Sequence, residues 1–197
     1  MSRKNAASAD RRDAMDLTHK FLIAMPAMAD PNFAGSVVYV CEHTDKGALG
    51  LVINRPTELT LEGLFDKIDL KLEIAPWKDA PVYFGGPVQT ERGFVLHVPA
   101  GSYSSSLPVR DDIALTTSKD ILEAVAGGGG PAKLLVTLGY SGWGAGQLES
   151  EVSANAWLTV DAQQSIIFDT PAEGRQAAAL RLLGVDPSHL SAQAGHA

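Results

Sequence analysis

The 197-residue chain has one cysteine, Cys41, so it cannot close an internal disulfide. That suits a reducing cytoplasm, and a free thiol inside an apolar run behaves as a small core side chain. A basic surplus is missing too. Sixteen Lys and Arg face twenty-three Asp and Glu, for a formal net charge of −7. The basic residues are scattered, which argues against the positive face that neutralises nucleic-acid phosphates. No apolar run approaches the ~20 residues of a membrane helix. Lys20 precedes FLIAMPAMA, and Ala27-Met28-Ala29 imitates a signal-peptidase site. The run is short and contains Pro26, and Asp10, Asp13 and Asp16 dilute the positive region before it. A first buried strand is the better reading. Internal repeats are absent. What remains is ordinary globular composition, 45% hydrophobic and 20% charged. A compact domain of this length buries roughly 70% of its unfolded surface and needs no covalent or metal staple.

Taken in order, 1–16 is polar, alanine-rich and without period, and reads as a mobile tail. Residues 21–24 read as a buried strand. Asp30-Pro31 has the form of a helix start that ends early at Gly35. The runs 36–42 and 48–53 read as strands of a hairpin closed by 44–47. Asn54-Arg55-Pro56 stops the second strand. Thr60 caps a helix whose apolar face is Leu61, Leu64, Phe65 and Ile68. Strands are expected at 82–84, 93–98, 113–116, 133–138, 157–160 and 166–168. A serine-rich loop is expected over 101–109. Thr117 and Asp120 have capping-box spacing before Ile121, Leu122 and Val125. Thr170, Pro171 and Glu173 open a last helix that ends at Gly184. Hairpins mixed with strand–helix–strand pieces predict an α+β fold.

The order of FLIAMPAMADPNFAGSVVY, GALGLVINRP, VYFGGPV with GFVLHV, GYSGWGAGQLESE and NAWL resembles the YqgE/AlgH family of bacterial proteins. The resemblance covers residues 17–183. It implies an α+β fold with several coiled, mostly antiparallel or mixed β-sheets and peripheral helices, forming a single compact domain in the cytoplasm. The expected organisation is a tail at 1–16, one domain at 17–190 and a flexible end at 191–197. The family is largely uncharacterised, one branch carries a transcription-regulator label, and it brings no established catalytic residue, cofactor or metal.

The glycine-rich stretch 131–151 is the first candidate site. It nearly satisfies three motifs. Gly139 and Gly144 have phosphate-loop spacing, but Ala145-Gly146 stand where lysine and a hydroxyl residue belong. Gly142 and Gly144 begin a dinucleotide fingerprint, but Gln147 replaces its third glycine. Gly139-Tyr140-Ser141 begins a nucleophile elbow that Trp143 fails to close. Two readings survive. In one, the glycines let the chain cross closely over a neighbouring strand. In the other, backbone amides with Gly142, Trp143, Gly144, Gln147 and Glu149 form a shallow ligand or peptide site. Glu149 and Glu151 near the helix start would repel an anion there.

Asn54, Arg55, Gly85 and Gly86 are further candidates because each follows a strand, where loops carry binding groups. Arg55 has the fork geometry to hold a carboxylate or phosphate. Cys41, His43 and His97 are too few and too scattered for a metal site. Ser104, Ser105 and Ser106 with His97 and Asp111 imitate a hydrolase set, though no elbow supports it. Seven residues after Leu190 are too few for a recognition helix. The resulting expectation is a non-enzymatic binding or regulatory protein that works through a protein partner or small ligand, without direct DNA contact. The alternative is an enzyme on a small polar metabolite, built from Asn54, Arg55 and the 139–149 loop.

Overall fold

The computed structural model describes residues 15–72 and 75–193. The expected tail before Met15 and the last four residues lie outside them. Among the described residues ten strands form a curled, largely antiparallel sheet in the order Trp157–Asp161 (β10), Lys20–Ala24 (β1), Val37–Thr44 (β2), Gly47–Val52 (β3), Lys133–Gly144 (β9), Val88–Val98 (β6), Ile113–Thr116 (β8) and Ser106–Arg110 (β7), with Pro81–Phe84 (β5) joined to β9 and Pro56–Thr60 (β4) to β5. The protein is α+β, with about 25% helix and 38% strand.

Alternation builds the layers, because successive strand residues face opposite sides. In β1 (Lys20–Ala24), Phe21 and Ile23 enter the largest core, while Leu22 and Ala24 enter a second one. In β2 (Val37–Thr44), Val37, Tyr39 and Cys41 face the first core, and Val38 and Val40 the second. All five are buried, as their unbroken apolar run predicts. Enclosing a side chain as large as Phe21 or Tyr39 contributes roughly 1.5–3 kcal/mol. β3 (Gly47–Val52) returns antiparallel from β2, with Thr44 opposite Gly47.

Asn54-Arg55-Pro56 ends β3, but Pro56 at once opens a short edge strand, β4 (Pro56–Thr60). Edge position is where proline is tolerated in a sheet. Thr60 Oγ1 accepts the Gly63 amide at 3.2 Å and caps α1 (Leu61–Lys67), as its sequence predicts. After the short α2 (Ala75–Lys78) come β5 (Pro81–Phe84) and the long β6 (Val88–Val98). The serine-rich segment is not all loop: β7 (Ser106–Arg110) pairs with β8 (Ile113–Thr116) at the sheet's edge. α3 (Asp120–Ala126) starts without a side-chain cap. Its anticipated capping box fails because the Asp120 carboxylate instead accepts Ser104 N at 2.8 Å and Ser118 Oγ at 2.5 Å.

β9 (Lys133–Gly144) is the axis. α4 (Gln147–Ser153) and β10 (Trp157–Asp161) follow it. The predicted strand at 166–168 is a helical turn, α5 (Gln164–Phe168), with Ile166 and Ile167 in the main core. Three apolar residues fit either conformation, and tertiary packing chooses. A 3₁₀ turn (Ala172–Gly174) leads into α6 (Arg175–Leu182). Thr170 does not cap it, because its hydroxyl donates back to Ser165 O at 3.0 Å. Gly184, at φ 70°, ends α6 as expected. The last helix, α7 (Pro187–Gln193), runs across the boundary anticipated at residue 191.

Candidate functional site

The glycine-rich stretch is not a loop up to Gly144. β9 runs unbroken from Lys133 and changes partners midway. Its first half lies antiparallel to β6 and beside β5, where Thr137 and Leu138 pair parallel with Tyr83 and Phe84. Its second half pairs antiparallel with β3, Gly142 opposite Leu49 and Gly144 opposite Gly47. Gly139 sits at the change with φ 76°. A Cβ there would lie 2.4 Å from Gly86 O, and one on Gly85 would lie 2.3 Å from Gly139 O. Gly86, at φ 153°, leaves no more room, since its Cβ would meet the Tyr140 carbonyl at 2.2 Å. These glycines are the conformational requirement of two backbones crossing in contact.

Trp143 is 6% exposed and faces the second core rather than solvent. It stacks on Phe33 (centroids 6.1 Å apart) and meets Trp157 edge-on at 6.2 Å. Both indoles donate to one carboxylate oxygen, Glu151 Oε1, at 3.4 Å from Trp143 and 3.1 Å from Trp157. Glu151 Oε2 accepts Gln147 Nε2 at 3.0 Å, and Gln147 Oε1 accepts the Gly144 amide at 3.0 Å. Leaving one such buried donor unpaired costs about 1–3 kcal/mol. Gln147 and Glu151 therefore tie α4 back onto the end of β9.

Glu149 turns the other way, as two-residue spacing on a helix requires. Its Oε1 bonds His43 Nε2, and its Oε2 is buried without a partner. His43 Nδ1 accepts the Leu17 amide at 2.9 Å. The neutral ring therefore carries its proton on Nε2 and donates it to Glu149. A bulge between Val40 and Glu42 places His43 on the face opposite Cys41, so those two residues do not converge. Burial also pushes the Cys41 thiol well above its ordinary pKa. Among the described residues no three His, Cys, Asp or Glu side chains group as metal ligands.

Asn54 and Arg55 face the turn before β2. Asn54 accepts the Val37 amide at 2.9 Å and donates to Gly35 O at 3.0 Å. The Arg55 guanidinium donates to the carbonyls of Pro31, Asn32 and Ala34 at 3.0, 2.7 and 2.5 Å. It pins the turn that holds Phe33 against Trp143. The backbones of Arg55 and Gly85 do meet the crossing: Phe84 N donates to Arg55 O and Gly85 N to Leu138 O. The candidates thus share one neighbourhood through backbone and aromatic contacts, while the side chains of Asn54 and Arg55 point away from β9.

The imagined set of His97, Asp111 and a serine does not assemble. Asp111 lies 3.1 Å from His19 Nε2, and His19 Nδ1 lies 2.8 Å from the Tyr39 hydroxyl. Beside the glycine crossing, a shallow depression opens where the main core's face runs out of cover. Leu49, Val88, Tyr140 and Trp143 line it, together with Gly47, Gly142 and the charged Glu42 and Lys46. Val88 is 36% exposed, and with Leu183 it is one of the large apolar side chains left open among the described residues. Gly142 and Trp143, candidates from the sequence, are among its lining residues, whereas Leu49, Val88 and Tyr140 escaped sequence reasoning because they come from three strands distant in the chain.

Fold and site together define an α+β protein organised on one strand shared by two halves of a sheet, with a glycine crossing at its middle. The chain belongs to the AlgH-like family, whose model matches residues 21–188. It is 68% identical over 184 residues to UPF0301 protein Bpet0561 of Bordetella petrii, covering 93% of this chain and 91% of that one. UPF0301 protein RSc0675 of Ralstonia nicotianae is 66% identical over 183 residues, covering 93% and 96%. The solution structure of the AlgH protein from Pseudomonas aeruginosa superposes with a TM-score of 0.76 at 51% identity, covering 100% and 99%. The crystal structure of protein DIP2367 from Corynebacterium diphtheriae, at 19% identity and a TM-score of 0.65, covers 87% and 91% and shares the fold.

Proposed function

We propose that the protein is a binding protein that seats a segment of a protein partner in the depression over β2, β3 and β9, and that any regulatory role runs through that contact in the cytoplasm. The observation that carries this reading is an apolar lining left open beside the hydrogen-bonded Gln147 and Glu151. Leu49 and Tyr140 continue the main core to the surface, and Val88 stands exposed beside them. Exposed apolar surface with a charged rim is the form that partner sites take. The enzyme alternative at Asn54, Arg55 and 139–149 draws less support, because the polar atoms of Asn54, Arg55 and Gln147 are already engaged with the protein itself and Glu149 is turned against His43, its second oxygen buried rather than open to a substrate. General acid–base work needs groups with free reach to a substrate.

The test is affinity capture from native lysate with three forms of the protein. Wild type and Leu183→Glu should retain the same captured protein, and Val88→Glu should lose it. Equal capture by Val88→Glu would remove the depression from consideration.

A further inference from the structure

His97 is fully enclosed on β6, yet both its ring nitrogens are engaged. Nδ1 lies 2.9 Å from Pro99 O, and Nε2 lies 2.7 Å from Thr116 Oγ1. Thr116 is also fully enclosed, and its Oγ1 lies 2.9 Å from Ser106 Oγ on an exposed residue. The sheet explains the alignment. Thr116 on β8 stands opposite Ser106 on β7 and opposite Val95 on β6, which makes His97 its diagonal neighbour. Diagonal pairs on one face are within reach of a ring.

The proton directions follow from the partners. Pro99 O can only accept, so Nδ1 carries a proton. Burial holds the His97 pKa below its ordinary value, against the pull of Pro99 O and Asp112, so the ring is neutral and Nε2 is a free lone pair. Thr116 must donate its one proton to Nε2. Ser106 must then donate to Thr116. Every hydroxyl proton points inward from the surface to a buried base, and the lone pairs of Ser106 are left facing out.

Ser104 and Ser105 differ from Ser106. Ser104 bonds Asp120 through both its amide and its hydroxyl, and the Ser105 amide donates to Ser118 Oγ. Thr117 N donates to Ser105 O, so the ladder bonds of β7 fall at Ser105 and alternate residues. The Ser106 amide therefore faces the free edge of the sheet, because β7 is its terminal strand. A nucleophilic serine's own amide is a usual donor to the oxyanion it creates.

We propose that Ser106 is a nucleophilic serine that accepts an acyl group from an activated carboxylic ester, with His97 taking its proton through Thr116. Ser106 Oγ bonds to the ester's carbonyl carbon while its proton passes to Thr116 and the Thr116 proton passes to Nε2. The tetrahedral adduct, its oxyanion at the Ser106 amide, collapses with cleavage of the bond to the leaving oxygen. That oxygen, the weakly basic one of an activated ester, leaves as its anion and takes any proton it needs from solvent, while His97 keeps the serine's proton. Hydroxide from solvent then attacks the acyl-serine; the carboxylic acid is released as Ser106 Oγ departs and recovers its proton from His97 through Thr116. One intervening hydroxyl serves here as one water does elsewhere between nucleophile and base. The inference rests on β6, β7 and β8 and stands apart from the depression over β2, β3 and β9.

The test uses the full chain, a fluorophosphonate probe as the activated electrophile, and peptide mass spectrometry to locate the adduct. The expected result is labelling of Ser106 in preference to Ser102, Ser104 and Ser105, and its loss in Ser106→Ala. Thr116→Val should slow labelling by about tenfold or more, and Thr116→Ser should restore it, which a purely structural hydroxyl would not do for the rate. An absent adduct, or one spread evenly over the serines, overturns the proposal, as does wild-type labelling in folded Thr116→Val. If Thr116→Val fails to fold, the selectivity for Ser106 and the Thr116→Ser rate decide.

Discussion

A histidine enclosed by apolar neighbours resists protonation, and two such residues set how this protein meets acid. Burial lowers the pKa of His19 despite the opposing charge of Asp111, and lowers that of His97 despite Pro99 O and Asp112. In the unfolded chain both titrate near 6.5. Between that value and the folded one the unfolded state binds more protons, so stability is complete above 6.5 and falls as the pH drops through it. The urea midpoint should therefore decline between about pH 7.5 and pH 5.5, with a shallower slope in His97→Gln. A flat midpoint over that range would contradict it. Asp161 acts in a separate window. Its hydrogen bond from Lys20 holds its pKa down, so its contribution is lost only as the pH falls below the ordinary carboxylate range.

At the scale of the element, β9 makes the sharpest demand. A side chain at Gly139 must adopt φ 76° and place Cβ against the Gly86 and Val88 carbonyls at 2.4 and 3.1 Å. Left-handed backbone alone costs on the order of 1–3 kcal/mol, and the contacts are backbone that cannot step aside. Gly139→Ala should lower the melting temperature by at least about 5 °C. Gly93→Ala, whose Cβ meets nothing within 4 Å, should leave it nearly unchanged. Equal melting of the two variants would remove the crossing as the reason for these glycines. The same element shows what the sequence can and cannot say. The apolar runs of β1 and β2 and the Thr60 cap are legible because period and cap are local. β9 beyond Leu138 reads as a loop because glycine punctuates it, although those glycines serve the crossing. β7 hides in a serine run with Pro108. Trp143 reads as part of a shallow ligand site, and nothing local reveals that its indole packs inward and donates to Glu151. Thr116 escapes notice as a partner of His97 because only sheet register brings residues 97, 116 and 106 onto one face.

At the scale of the whole molecule, β9 belongs at once to the β6 side and the β3 side of the sheet. Opening either half releases the other, so the two should behave as one cooperative unit. Native-state hydrogen exchange should give the amides of 134–138 and those of 141–143 a common opening free energy. Rates in 141–143 faster by more than about tenfold after correction for intrinsic exchange, a difference of about 1.4 kcal/mol, would show that the halves open separately. A strand read in two registers also has a fixed length. A one-residue slip inverts every side chain of a strand, and here either side could be realigned only by misaligning the other. Loss or gain of a single residue between Thr137 and Gly142 would leave one half of the sheet with its apolar side chains in water, whatever the composition of the altered segment. Related chains that keep this fold should vary in length at their turns and termini and hold the count of residues through this strand constant.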